Sequence, residues 1–253
     1  MHDMSTKQQI FDLSTRQLKA AGDIVGCMRP PLGPPGRPQC AIFLTMIEQF
    51  EAALRLAEVG LATHGASHAR AMLESLVTFR LLGHKPEQID QMRYEQLRGE
   101  KKLYEKVLQF PELAGGERKY IELRLADCLA LYSTLHEKKV RPTKLIEQFE
   151  AAGVAALAAP YTMLCSFAHN DLAALALRHQ GEVGMTLRAG DSDDVVFLVM
   201  SIVSYVLLDS AAAIGQIALF PDGRFERHHL DIYDAYTALM DLRQQLASTG
   251  QKG

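Results

Sequence analysis

The stretch VVFLVMSIVSYVLL, Val195 to Leu208, holds no charged side chain. A helix that crosses a bilayer needs roughly 20 mostly apolar residues. This run stops short of that, because Asp209 follows it directly. The competing solution is a helix walled in by other helices, apolar on every face. That second solution is the expectation here, and with it no membrane association. Ser192-Asp193-Asp194 caps the start of this helix, which runs on to Leu219.

A central helix of this kind needs amphipathic neighbours, and the chain supplies them. Lys7 to Cys27 reads as a first helix. Ile42, Phe43, Met46, Ile47, Phe50, Leu54 and Ala57 recur at three-four spacing within a helix from Gln39 to Ala62. Thr63-His64-Gly65 reads as a corner. A helix follows from Ser67 to Leu82, ended by Gly83. Pro86 suits the first turn of the next, which extends to about Phe110 and is broken by Gly115-Gly116. Its RYEQLRGEKKLYEKV segment is charged and belongs outside. Glu117 to Glu137, Lys144 to Ala152 after VRPT, a segment opening at Pro160, and Arg227 to about Ala247 after a Pro221-Asp222-Gly223 turn complete the set. Regular strand–helix alternation is missing, so an α/β fold is not expected. The fold expected is an all-α, multi-helix bundle with a long central apolar helix. One small β-hairpin is placed near 175–188, with Leu175 to His179 and Val183 to Arg188 as its arms.

RPPLGPPGRP, Arg29 to Pro38, contains five prolines. Proline removes a backbone donor and fixes φ, so a helix cannot run through it. The reading is residues 1–38 as an N-terminal helix plus a stiff connector, and 39–253 as the bundle domain. The tethered helix packs on the rest or on a second subunit, which makes a homo-oligomer an expected partner. The polar N-terminus shows no signal-peptide core. Cys27, Cys40, Cys128 and Cys165 are scattered without C-x-x-C spacing, which suits reduced thiols and a cytoplasmic location. The net charge of -3 offers no global attraction for polyphosphates, so duplex DNA is not an expected partner. Tryptophan is absent, and stacking platforms for single strands are not expected either.

Two stretches carry polar groups where a bundle needs none. In ASHARAMLESLVTFRLL, Ser67, Arg70, Glu74 and Thr78 share one narrow helical stripe, flanked by Met72, Leu73, Leu76, Phe79 and Leu82. Arg70 and Glu74 are i,i+4 neighbours. They read either as a surface ion pair or as one wall of an internal cleft. In CSFAHNDLAALALRHQ, His169, Asn170, Asp171, Arg178 and His179 interrupt an Ala/Leu-rich pattern. Asn170 and Asp171 suit helix ends. Histidine suits proton transfer near neutral pH, and Arg178 can grip a carboxylate or phosphate with two prongs. Cys165 and His169 are also i,i+4, a spacing open to a nucleophilic pair or to a buried structural thiol.

His64 and His68 share that spacing, but no Glu follows the first, and paired Glu-x-x-His motifs are missing. Metal is therefore not expected. Nor is a cofactor, because no phosphate-binding glycine loop or hydrolase elbow occurs. RFERHH, Arg224 to His229, loosely resembles the arginine–histidine motif of the helical HEPN nucleases, with Phe225 where a polar residue usually stands.

ARAMLESLVTF (Ala69 to Phe79) and YTMLCSFAHNDLAALALRHQ (Tyr161 to Gln180) together resemble a bacterial family of helical proteins, the domain of unknown function five-six-seven-seven. The likeness runs from about Ile42 to Phe220. It implies an all-α bundle and singles out Arg70 and Glu74 in one motif, and Tyr161, Ser166 and His169 in the other. It implies no activity. Two functions are then expected alternatives. One is an interaction or regulatory module whose polar cluster is buried and structural, with a protein partner. The other is a phosphodiester-cleaving or nucleotide-acting enzyme, with RNA or a nucleotide as substrate. There His169 is general acid or base, Arg70 or Arg178 steadies phosphate, and Glu74 orients its neighbours. Asn170, Asp171, His179, Tyr161 and Ser166 would line the site.

Overall fold

The computed structural model describes residues 5–250 except Pro86, Pro142, Asn170 and Asp222, with side chains to Gln244. What the sequence places on those four residues lies outside the described residues. Ten α-helices and one two-stranded hairpin are present among the described residues. They are α1 Thr6–Cys27, α2 Gly36–Glu58, α3 Ala62–His84, α4 Gln88–Val107, α5 Gly115–Glu137, α6 Leu145–Ala151, α7 Ala158–Ala168, α8 Leu172–His179, α9 Asp193–Ile217 and α10 Phe225–Gly250. The strands Gln180–Gly181 and Gly184–Met185 pair antiparallel between α8 and α9.

Helix α9 is the centre. Ser192 caps it, its hydroxyl oxygen accepting from the Val195 N–H at 3.3 Å. Val199, Met200, Val203, Val206, Leu207, Ala211 and Ile214 are fully buried. Helices α1, α2, α3 and α10 pack around it. By length and composition α9 could cross a membrane, but 67% of its most apolar stretch is buried within the fold. Asp209, which ends the uncharged run, forms a two-pronged ion pair with Arg80 of α3. Helix α1 lies against α10, α9 and α2, and Ile10, Ala21 and Ile24 join the main core.

Several boundaries differ from the sequence reading. Helix α2 starts at Gly36, so Pro38 sits in its first turn, where no donor is lost. Arg29, earlier in the connector, pairs with Leu219 through two backbone bonds of 2.9 and 3.0 Å. The α2–α3 corner is at Gly60, not at Thr63–Gly65. Gly60 takes φ +74 and closes the helix with Leu61 N–H on the Leu56 carbonyl and its own N–H on Ala57. Gly115 and Gly116 are the first residues of α5 rather than a break. Leu175 to His179 is helical, not extended: Asp171 caps α8, and Ala and Leu favour the helix.

Helices α4 and α5 form a hairpin arm with a core of their own. Tyr94, Leu97, Cys128 and Leu135 are buried there, and the Tyr94 and Tyr132 hydroxyls share a 3.0 Å hydrogen bond. The tip is held by Arg118, whose guanidinium donates to the Leu108 and Phe110 carbonyls. As expected, the charged α4 faces mostly outward.

Candidate functional site: a polar chain between two helices

Helix α3 packs along α9, and its Ser67–Arg70–Glu74–Thr78 stripe belongs to its less buried face. Helix α7 packs along that face. Phe149 of α6, fully buried, backs the Tyr161 ring at 5.4 Å and so fixes where its hydroxyl points. The result is a continuous polar chain. Arg70 Nη1 donates to His169 Nε2 at 3.3 Å. Arg70 Nε donates to Glu74 Oε1 at 3.0 Å, and the Tyr161 hydroxyl donates to the same oxygen at 2.9 Å. The Arg70 guanidinium also stands 5.4 Å from the Tyr161 ring centre.

A guanidinium can only donate, so His169 Nε2 is the acceptor in this contact. Desolvation, reinforced by the Glu74 carboxylate, pushes the Tyr161 phenol up to about 12. Tyr161 is therefore a hydrogen-bond donor at neutral pH and not a base. The cluster is not buried, contrary to the sequence reading. The Arg70 and Glu74 side chains are 27% and 41% exposed, and His169 is exposed. The reason is geometric: His169 lies at the C-terminal cap of α7, past the last turn that packs on α3.

The other sequence candidates sit apart from this chain. Asp171 caps α8, accepting from the Ala174 N–H at 2.9 Å, and that bond, followed by one from Ser166, holds its carboxyl below the usual range. Ser166 is exposed at that cap. Arg178 donates to the Thr63 carbonyl at 3.0 Å and to the Phe167 carbonyl at 2.8 Å, clamping α8 to α3 and α7. His179 Nδ1 donates to the Thr186 carbonyl at 3.2 Å and steadies the hairpin. The Cys165 thiol shares a hydrogen bond with Tyr161, and the bond that joins Cys165 to His169 is a backbone one, the His169 N–H donating to the Cys165 carbonyl at 3.0 Å. His64 belongs to α3 rather than standing off it, and His68 Nδ1 meets Gln49 Oε1 at 2.5 Å. Asn170 lies outside the described residues.

One residue the sequence reading did not single out organises this end of the fold. Helix α3 begins at Leu61-Ala62 without a capping side chain of its own. Asp191, 129 residues away, supplies it: Oδ2 accepts from the Ala62 N–H at 2.5 Å and Oδ1 from Thr63 at 3.3 Å. A carboxylate there also meets the positive end of the helix dipole. Lys7 of α1 donates to the Asp191 carbonyl at 2.6 Å. No local pattern signals such a cap, because cap and helix are distant in sequence. Asp191→Ala should lower stability by about 1–2 kcal/mol, the usual value of a lost N-cap, and Asp191→Asn should retain most of it. Thermal unfolding of the two variants checks this.

Fold and chain together define an all-α bundle whose polar site is shared between α3 and α7. The chain belongs to the family of unknown function DUF5677, whose model matches residues 39–184. That span covers α2 to the hairpin, and hence the arm, the polar chain and the Arg178 clamp. It ends before α9, short of the Phe220 limit read from the sequence. No curated protein and no solved structure matches the chain.

Proposed function

We propose that this protein is a cytoplasmic interaction or regulatory module, acting on a protein partner or on a second copy of itself. In this reading the Arg70–Glu74–Tyr161–His169 chain is a structural tie between α3 and α7. One observation carries it. Each of the four side chains is already engaged by another member, with His169 Nε2 accepting from Arg70 and Glu74 Oε1 taken twice. The free thiols Cys27, Cys40, Cys128 and Cys165 are compatible with a reducing compartment.

A second reading has its own observation. His169 is exposed and lies 3.3 Å from an arginine, beside a carboxylate. That set suits general acid–base work on a phosphodiester, with Arg70 on the phosphate. In it the substrate is RNA or a nucleotide, and Arg70 leaves His169 when substrate binds.

One set of measurements separates the two. Tyr161→Phe and Glu74→Ala should each lower stability by about 1–2 kcal/mol, since each removes a partner from a half-buried bond. Because the phenol is raised in the folded state, its stabilisation is complete below about pH 10 and is lost as pH rises toward about 12. Wild type should therefore weaken over that window more than Tyr161→Phe. RNA should survive wild type and His169→Ala equally, and light scattering should show more than one chain per particle. Cleavage by wild type that disappears in folded His169→Ala would replace the module with the enzyme. A clean single-chain particle of 28.0 kDa would remove self-association.

A further inference from the structure

At the base of the arm, where the end of α3, the start of α4, the end of α5 and α6 meet, a cleft encloses about 550 Å³. Its walls carry Lys85, Lys138, Lys139 and Arg141 against Glu87 and Glu147, an excess of two positive charges. Two of the cations are already engaged. Lys138 pairs with Asp90 at 3.2 Å, and Arg141 donates to the His136 and Val140 carbonyls. The ammonium groups of Lys85 and Lys139 meet no hydrogen-bond or ion-pair partner among the described residues.

Lys139 is also the wrong residue for its backbone. Three helices here end alike, each with a residue in the left-handed region closing the last turn. Helix α2 uses Gly60 (φ +74) and α6 is followed by Gly153 (φ +72). At the end of α5 the same two bonds form, Val140 N–H to the Leu135 carbonyl and Lys139 N–H to that of His136. The left-handed residue there is Lys139, at φ +62. It is the one non-glycine with positive φ among the described residues. A side chain in that region is strained, and glycine is the ordinary solution. Strain of this kind is retained where the side chain has a use.

We propose that this cleft binds a small organic phosphate, with Lys139 and Lys85 as its charge contacts. Its volume falls in the range of small-molecule sites, roughly 300–1,000 Å³. The Gln88 and Gln91 side chains and Thr143 supply polar groups for the rest of the molecule. A ligand there bridges the arm to the body, since Lys85 ends α3 while Lys139 follows α5. The proposal does not depend on the role of the Arg70 chain, and the variants that test it lie outside that chain.

The test is isothermal titration of the full chain at low salt with ATP, inorganic pyrophosphate and citrate, beside thermal melts. The expected result is saturable binding of ATP or pyrophosphate below about 1 mM. ATP binding more tightly would identify a nucleotide-like ligand, and pyrophosphate binding as well would identify the phosphates alone. Lys139→Gly should melt about 2–4 °C higher, with strain relieved, yet bind about tenfold more weakly. Lys85→Gln should weaken binding without raising the melting temperature. No saturable binding of either phosphate, citrate equal to both, or Lys139→Gly binding like wild type would overturn the proposal.

Discussion

Asp209→Ala should lower stability by about 2–3 kcal/mol, far above the roughly 0–1 kcal/mol of an exposed ion pair. Asp209 lies on the central helix and grips Arg80 of α3 with both oxygens, Nε to Oδ2 measuring 2.9 Å. The two side chains are only 16% and 29% exposed. Removing the carboxylate strands a guanidinium that the surrounding helices keep from full hydration. Partial access to water holds the loss below the 3–5 kcal/mol seen for fully buried pairs. The midpoint of urea unfolding should fall while its slope stays constant. Replacing both partners together, Arg80→Met with Asp209→Leu, should restore most of the loss, since no unpaired charge remains. A single-variant loss below about 0.5 kcal/mol would place the pair among ordinary surface contacts.

Gly65→Val is the second large effect, also about 2–3 kcal/mol, and it comes from crowding rather than charge. A Cβ at Gly65 would stand 3.2 Å from the Ala53 carbonyl oxygen and 3.7 Å from Val199. Helices α2, α3 and α9 converge at that point, so the obstacle on one side is backbone and cannot swing away. Gly65→Ala should stay within about 1 kcal/mol of wild type, because its gain in helix propensity offsets a tight contact. Valine adds two methyl groups to the same gap. Calorimetric melts of the two variants give the comparison. Equal melting temperatures would mean that α2 and α3 can separate at this point without cost.

That glycine shows where the sequence was legible and where it was not. Three-four spacing of apolar residues located the helices, and the run up to Asp209 marked the central one. The spacing of Arg70 and Glu74 revealed their pairing on one face. His169 stood out as a polar break in an Ala/Leu-rich run, whereas Tyr161 entered through the family resemblance, since nothing local says that α7 lies along α3. Gly65 read as a corner because glycine most often marks one, whereas here it allows close approach of helices. The true start of α3 was hidden because its cap, Asp191, is distant in the chain. Arg178 looked free to hold phosphate, and its bonds to the Thr63 and Phe167 carbonyls exist only once α3, α7 and α8 are assembled. The end of α5 at Glu137 was read correctly, but its left-handed closure was not legible, because a lysine stands where glycine would have announced it.

The arm leaves the bundle at Lys85 and returns beside that point at Lys138, carrying its own small core with it. Its tip, from Leu108 to Ala114, contributes no residue to the main core. Whole turns could be added or removed at the tip without altering the helices that surround α9, because closing a longer loop costs little once its two ends are fixed. Reach is thus a separately adjustable property of this fold. The bundle sets where the arm is rooted, and the tip sets how far from the body its last residues can touch another molecule.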